Sequence, residues 1–404
     1  MEGSKMNILG IIVEYNPFHR GHSSHLERSK AATGCETVIA VMSGNFVQRG
    51  EPAICDKWTR TRMALEAGVD LVIELPLYYA TGGAEYFARG AVTLLAATGL
   101  VNYLCFGSEC ADINAITDRA QILQYECEDR KLKEYLRQGL SYPAAREKAY
   151  EKFTTFDAKD GLLSKPNNIL GVEYVKAILG LKTQLTTDIK ACTVPRSPGA
   201  AKNIRENLRN GISAEQDMPN ISWKILNESV ENYGAAELDN LSATFQSIVR
   251  NKNFSQYLHN YVGISEGLEN RFVKYAQEYY WLSDILAAVK TKRYTYTRLQ
   301  RAVLHIILDI TKECLAEYEN SGGPQYIRVL GFKRDRTDLL KTLERNASLP
   351  IVMNLKNAIL PELATQMLSE EVRSTDLYSL AFPPPKKGRP ARSLHEYAMP
   401  LVIL

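Results

Sequence analysis

Half of the chain's six histidines, His19, His22 and His25, fall within seven residues of GIIVEYNPFHRGHSSHLERSK, Gly10 to Lys30. An apolar run precedes them and a helical pattern follows. A helix start carries unpaired N–H groups and the positive end of the helix dipole, which together bind phosphate. Gly21 lets a phosphate approach the backbone closely. His19 and His22, three apart on a starting helix, point to one side. There both rings can donate hydrogen bonds to an α-phosphate as charge builds in an in-line displacement. Adenylyl transfer needs that arrangement and no protein nucleophile. Two other readings stay open. One is a pair of surface histidines at a helix start. The other is a zinc site, for which the three histidines lack the i, i+4 pairing with a glutamate and any nearby cysteine. No metal ligand is assigned.

The elements that must position these residues alternate. Strands are expected at Ile8–Val13, Thr37–Met42, Asp70–Leu75 and Val101–Phe106. Helices are expected at Gly21–Ala32, from an Asp56 cap to Ala67 with Gly68 closing it, and at Gly83–Thr98. That alternation argues for an α/β, Rossmann-like parallel sheet with helices on both faces. Ligands of such sheets sit at the carboxyl ends of the strands. Chemistry is therefore expected in Glu14–His25, Ser43–Lys57, Pro76–Glu85 and Gly107–Glu109. Residues 112–160 read as a charged helical insertion or cover. Lys165–Leu179 opens with turn residues and continues as a helix, and Thr183–Thr193 reads as a last strand. From Ala200 onward the pattern is mostly α-helical, with long amphipathic segments at Glu266–Lys290 and Thr295–Glu317. Pro324–Arg336 reads as ending in a loop or helix start. The tail, rich in Pro and Lys/Arg from Phe382 to Ser393, reads as an extended, mobile strap. The expected organisation is a nucleotide-binding domain over 6–215, a helical RNA-binding domain over 216–380 and the tail over 381–404.

A chain of 404 residues with 45% hydrophobic and 24% charged residues has ordinary soluble composition. No run of about eighteen apolar residues suggests a membrane helix. Seven scattered cysteines without a CxxC pair fit a reducing cytoplasm. Met6 reads as the natural start, with MEGSK a leader or remnant left out of fold reasoning. Net charge is only +3, but basic residues gather in Lys290–Arg301 and Arg328–Arg336. Lys290, Lys292, Arg293, Arg298 and Arg301 surround Tyr294 and Tyr296. Cations interleaved with aromatics suit a folded RNA, with Arg328, Lys333, Arg334 and Arg336 extending the surface. Lys57, Arg60 and Arg62 begin a helix whose basic face offers a further RNA contact. For each of these residues singly, a solvated helix face is the competing reading. Arg49 is read either as pairing with an anionic ligand or as fixing its own loop through Glu51 or Asp56.

The HxGH pattern resembles the nucleotidyltransferase superfamily. With VMSGNFVQRGEPAICDKWTRTRMALEAGVDLVIELP, FGSE at Phe106–Glu109, PNNILGVEYVKAI, KTKRYT at Lys290–Thr295 and YIRVLGF at Tyr326–Phe332, the chain resembles the bacterial tRNA-Met cytidine acetate ligase family. The resemblance runs from Met6 to about Phe332. It implies activation of acetate by ATP, with Mg2+ accompanying the triphosphate, to acetyl-adenylate and pyrophosphate. The acetyl group then passes to the wobble cytidine of elongator tRNA-Met. It implies that His19 and His22 stabilise the α-phosphate. Ile12, Val13, Glu14, Tyr15, Asn16, Pro17, Phe18, Arg20, Gly21 and His25 would line the ATP site. Gly107 and Asn167 would reach the nucleotide. A homodimer is compatible with this reading.

Three features depart from the family pattern. Its second phosphate motif, Ser-Ala-Thr-(any)-Ile-Arg, corresponds here to PGAAKNIRENL, which keeps Arg205 but has Ala200 and Lys202 in place of the hydroxyls. Asparagine is usual where Arg20 stands. An arginine on the preceding strand is matched by Asp188 or Lys190. The alternatives are a diverged member that binds RNA with weak or no adenylation, and a small-molecule nucleotidyltransferase.

Overall fold

The computed structural model describes residues 7–125, 161–181, 188–197, 201–385 and 395–404, with isolated positions between 126 and 160. β1 (Ile8–Val13) is apolar along its length because both of its faces are covered. Leu9, Ile11 and Val13 enter the core on one face, while Ile8 joins the core on the other. β1 pairs in parallel with β2 (Thr37–Ser43) and with β6 (Tyr103–Ser108). β5 (Leu71–Leu75) adds beside β2, and β7 (Lys190–Pro195) beside β6, both parallel. The order β5-β2-β1-β6-β7 reverses direction at β1. That reversal opens a crevice at the carboxyl ends of β1 and β6, where ligands bind in sheets of this kind.

The first helices fall where expected. α1 (Arg20–Thr33) ends at Gly34, whose φ of 67° closes it in the left-handed region. α2 (Lys57–Glu66) is capped by Asp56, whose carboxylate accepts the Thr59 N–H at 2.8 Å. α3 (Leu77–Ala80) and α4 (Ala84–Ala97) follow β5. α5 (Ile113–Tyr125) is the described part of the expected insertion, and α6 (Pro166–Leu181) carries the PNN turn at its start.

The sheet is mixed rather than parallel throughout. β8 (Ile327–Phe332) pairs antiparallel with β5. β9 (Ile351–Val352) and β10 (Val402–Ile403) both pair in parallel with β8. Pro324–Arg336 therefore contains a buried strand, not only a loop or helix start. Its six apolar-rich residues carry no alternation, and their strand state depends on the open edge of β5, which lies far away in sequence. The tail likewise returns to the sheet at Val402–Ile403; residues 386–394 lie outside the described residues, as do 1–6.

Helical segments supply most of the rest. α7 (Ala201–Arg209), α8 (Asn220–Tyr233) and α9 (Ser242–Arg250) lead to α10 (Leu268–Glu278) and α11 (Leu282–Val289). α12 (Tyr296–Leu308) ends at Asp309, at φ 58°, before α13 (Lys312–Asn320). Each long amphipathic segment is thus two helices. Phe245, Phe272 and Leu299 share one apolar cluster with Ile39 and Ile73 of the sheet.

α14 (Thr337–Asn346) and α15 (Glu362–Tyr378) complete the helices. α15 and the C-terminal segment contribute carboxylates to an ionic cluster at the ends of β2 and β5. Lys57 Nζ lies 2.6 Å from Glu74, 2.5 Å from Glu396 and 3.8 Å from Glu371, all fully buried. Arg328 pairs with Glu74 at 3.1 Å and with Glu396. Two cations thus face three carboxylates. Burial, then the neighbouring Glu74, raise Glu371 well above the usual carboxylate range, which favours its protonated form beside the other two carboxylates. Burial pushes Glu396 upward too, but Lys57 and Arg328 more than offset it and hold it at about 2.

Glu396→Gln should lower unfolding free energy by about 3 kcal/mol at neutral pH, because it leaves a buried cation short of a partner. Glu371→Gln should change it by less than about 1 kcal/mol, since glutamine mimics the protonated acid. Because the folded Glu396 lies below its unfolded value of roughly 4.3, its contribution is present above that pH and is lost as pH falls toward 2. Urea titrations of both variants across pH 2 to 7 measure this.

Candidate active site

The crevice is built from the chain leaving β1. Glu14 Oε1 accepts the Gln48 N–H at 2.7 Å, and Asn16 Oδ1 accepts the Ile54 N–H at 2.8 Å. β3 (Phe46–Val47) and β4 (Glu51–Pro52) form the hairpin that offers these groups. Arg60, fully buried, donates to the carbonyls of Glu14 (2.7 Å), Ser43 (3.0 Å), Cys55 (3.1 Å) and Gly44. Arg60 therefore fixes the strand ends and does not face RNA. Lys57 lies in the ionic cluster and does not face RNA either. Both sit on the inward side of α2, which sequence periodicity read as basic and solvated.

Tyr15 has φ 48°, an uncommon conformation for an aromatic residue. Its buried ring packs edge-on against Phe18 at 4.7 Å and His22 at 4.9 Å. The Asn16–Pro17 peptide is cis. His19 caps α1: its Nδ1 accepts the Gly21 N–H at 3.0 Å, and His22 Nδ1 accepts the His19 N–H at 3.2 Å. The two rings stack with centroids 3.8 Å apart. Because each Nδ1 accepts, the proton of each neutral ring is on Nε2, which becomes a donor. The charged form is disfavoured as well. Burial, then Arg196, lowers His19 to about 4; Asp217 opposes weakly. Burial, then His19 and His25, lowers His22 well below its ordinary value. Burial alone lowers His25 to about 4. The reading as surface histidines fails, since His19 is 5% exposed.

The opposite wall is the end of β6. A Cβ on Gly107 would meet the His25 ring and Arg196, each at 3.6 Å, so these three share the wall. Glu109 is tied to the start of α6: its carboxylate accepts from Asn167 Nδ2 at 2.6 Å and from the Asn168 N–H at 2.9 Å. Asn168 Oδ1 accepts in return from the Glu109 N–H at 2.9 Å and the Cys110 N–H at 3.1 Å. Arg205, buried, donates to the Asn16 carbonyl at 2.8 Å and pairs with Glu51 at 2.8 Å. Glu51 is thus taken by Arg205 and Asp56 by its cap, while Arg49 is exposed and its charge acts on Glu14. Glu14 is raised by burial, with Arg49 opposing.

Two expectations need correction. Lys190 opens β7, at the end of the sheet away from the crevice, where it lies over the Tyr103 ring at 5.7 Å. The arginine at the productive end is Arg196, just past β7; setting the strand end at Thr193 hid it. Lys202 is 72% exposed and pairs with Glu206 at 3.5 Å, so it does not stand in for a phosphate-binding hydroxyl. Ala200 lies outside the described residues. Arg20 donates to the Gln216 carbonyl at 2.9 Å, on the rim. Ile12 lies partly buried behind the histidine loop, on the face of β1 opposite Val13.

A profile described as HIGH Nucleotidyl Transferase matches residues 6–392. The tRNA(Met) cytidine acetate ligase of Acetivibrio thermocellus is 40% identical over 94% of this chain and 96% of its own. That of Halothermothrix orenii is 40% identical over 95% and 97%. The crystal structure of Thermotoga maritima TmcAL bound with alpha-thio ATP superposes with a TM-score of 0.89 at 36% identity, over 99% of this chain and 100% of that one. The chain belongs to the HIGH nucleotidyl transferase family. It is a nucleotidyltransferase-type enzyme whose curated relatives are named tRNA(Met) cytidine acetate ligase.

In this transferase the remaining basic residues separate into groups. Lys333 N–H donates to the Asp70 carbonyl at 3.0 Å, with its Nζ 3.9 Å from Asp70 Oδ1. Arg336 reaches the same carboxylate at 3.3 Å. Since β8 runs antiparallel, its end lies at the amino ends of the parallel strands, opposite the crevice. Arg328 is buried in the ionic cluster. Arg301 donates to the Gln48 carbonyl at 3.2 Å, so the backbone of one residue, through its N–H and its C=O, links Glu14 to α12. Gly50 permits this contact: at φ 83°, a Cβ would lie 2.4 Å from the Arg301 nitrogen. Tyr294 is buried under Arg298, whose guanidinium lies 5.0 Å from its ring. Arg293 pairs with Glu266 at 2.7 Å. Lys290 and Lys292 are exposed.

In the unliganded enzyme, 15N NMR of the imidazoles should show Nδ1 unprotonated and Nε2 protonated for His19 and His22. His19 and His25 should titrate near 4. Their folded values lie below an unfolded value of about 6.5, so the unfolded chain binds more protons between these limits. Stability should therefore rise with pH through that window.

Proposed function

We propose that this enzyme activates acetate with ATP and acetylates the wobble cytidine of elongator tRNA-Met to N4-acetylcytidine. The supporting observation is the pair of neutral imidazoles, His19 and His22, set as Nε2 donors at the start of α1 beside a crevice at the sheet's switch point. In the first step a carboxylate oxygen of acetate attacks the α-phosphorus, and pyrophosphate leaves. The Nε2–H groups hold the α-phosphate oxygens as their charge grows. Neutral donors suit this role, because they cannot form a tight ion pair with the ground-state triphosphate. Arg196 meets the outer phosphates from the crevice rim, and Arg205, buried behind it against Glu51 and the Asn16 carbonyl, adds positive charge from below. In the second step the cytidine N4 amine attacks the acetyl carbonyl, and AMP leaves. Among the described residues no group of His, Cys, Asp or Glu gathers as a metal site. Mg2+ would enter with the triphosphate and offset its charge. No helix among the described residues is long and apolar enough to cross a membrane.

Lys202, turned to solvent, favours the second reading of an RNA-binding descendant without adenylation. Pyrophosphate release from ATP, Mg2+ and acetate, with and without elongator tRNA-Met, separates the two. Release should fall by at least about 10²-fold in His22→Ala, and mass analysis of the anticodon fragment should show acetylation only with the unsubstituted chain. No release with tRNA still bound would leave the second reading. Arg196→Ala should weaken ATP binding about tenfold, the loss of one charge-assisted hydrogen bond. Lys190→Ala should leave it unchanged in the same calorimetric titration.

A further inference from the structure

β7 is an edge strand, and its Cys192 stands directly beside Cys105 of β6 in the parallel register. Neighbouring strands lie about 4.8 Å apart, inside the roughly 4.4–6.8 Å that a disulfide spans between Cα atoms. Both side chains lie on the same face of the sheet. Cys105 is fully buried in the cluster beneath α1, and the partly exposed Cys192 packs against that cluster. The neighbouring Cys105 thiol holds Cys192 down at about 7 against the effect of burial, and Cys192 in turn pushes Cys105 up. Ser29 of α1 acts on Cys105 in the opposite sense, and Ser29 Oγ lies 3.4 Å from His25 Nε2. An accessible, acidic thiol backed by a buried resolving thiol is the arrangement of reversible oxidation.

We propose that Cys192 and Cys105 form a redox-modification site, at which a small-molecule disulfide oxidises the pair and joins β6 to β7 beneath α1. The Cys192 thiolate attacks one sulfur of the reagent RSSR, giving a mixed disulfide and one released thiolate. Cys105 loses its proton to solvent and attacks Cys192 Sγ, expelling the second thiolate. Two protein thiols lose two electrons, and the reagent is reduced to two RSH. The new bond lies two residues before Gly107, and Ser29 carries it to His25, so the crevice responds to the redox state.

The test treats the full chain with glutathione disulfide from pH 5.5 to 9, alkylates the remaining thiols and maps peptides without reduction. The expected product links the Cys105 and Cys192 peptides, at a rate rising through pH 7. Cys105→Ser should stop at a glutathione adduct on Cys192, and Cys192→Ser should give neither product. A lasting adduct on Cys192 in the unsubstituted chain would overturn the proposal. So would a link to another cysteine, or reaction at the exposed Cys110 while Cys192 stays untouched. The His25 ring resonances should shift on oxidation and return with dithiothreitol; unchanged resonances would refute the coupling to the crevice.

Discussion

Strands that end at a ligand crevice leave carbonyl groups that no neighbouring strand takes up. A buried carbonyl without a donor is unfavourable by kilocalories, and here one side chain supplies the donors. Arg60 gathers the carbonyls leaving β1 and β2, together with that of Cys55. The positions of Glu14, Tyr15 and the histidine pair all follow from where that loop is held. A lysine could not replace it, because a single ammonium cannot reach several carbonyls from one planar fork.

Around this anchor the site separates charge from hydrogen bonding. Its centre holds neutral imidazoles, kept so by burial and by the backbone N–H groups that occupy each Nδ1. Its rim holds the cations Arg49 and Arg196, with Arg205 buried behind them in its pair with Glu51. The hairpin between them is braced from α12, since the Gln48 carbonyl accepts from Arg301 while the Gln48 N–H donates to Glu14. The helical half thus supports the crevice mechanically as well as extending the surface beside it.

A second buried constraint draws the chain's far ends together. Lys57 and Arg328 cannot stay charged in the interior without carboxylates, and these come from β5, α15 and the C-terminal segment. The last residues of the chain are therefore part of the sheet's edge and of its electrostatics.

The alternation of strands and helices, the start of α1 at the histidines and the resemblance carried by the flanking motifs were legible in the sequence, because each rests on local spacing. His19, Gly21 and His22 all lie within the first turn of one helix, so their proximity follows from local geometry. The strand identity of Ile327–Phe332 was not legible, because six apolar residues take that form only against the distant edge of β5. Lys57, Arg60 and Arg328 looked like a cationic surface, since charge in a sequence says nothing about the carbonyls and carboxylates that the fold will place around it. Arg196 was missed by a strand boundary two residues off, and Lys190 was taken in its place. Sequence alone determined the kind of chemistry this protein can do, through residue types at helical spacing. Only the tertiary structure decided which cations face the crevice or solvent and which are consumed inside, because burial and long-range pairing set that division.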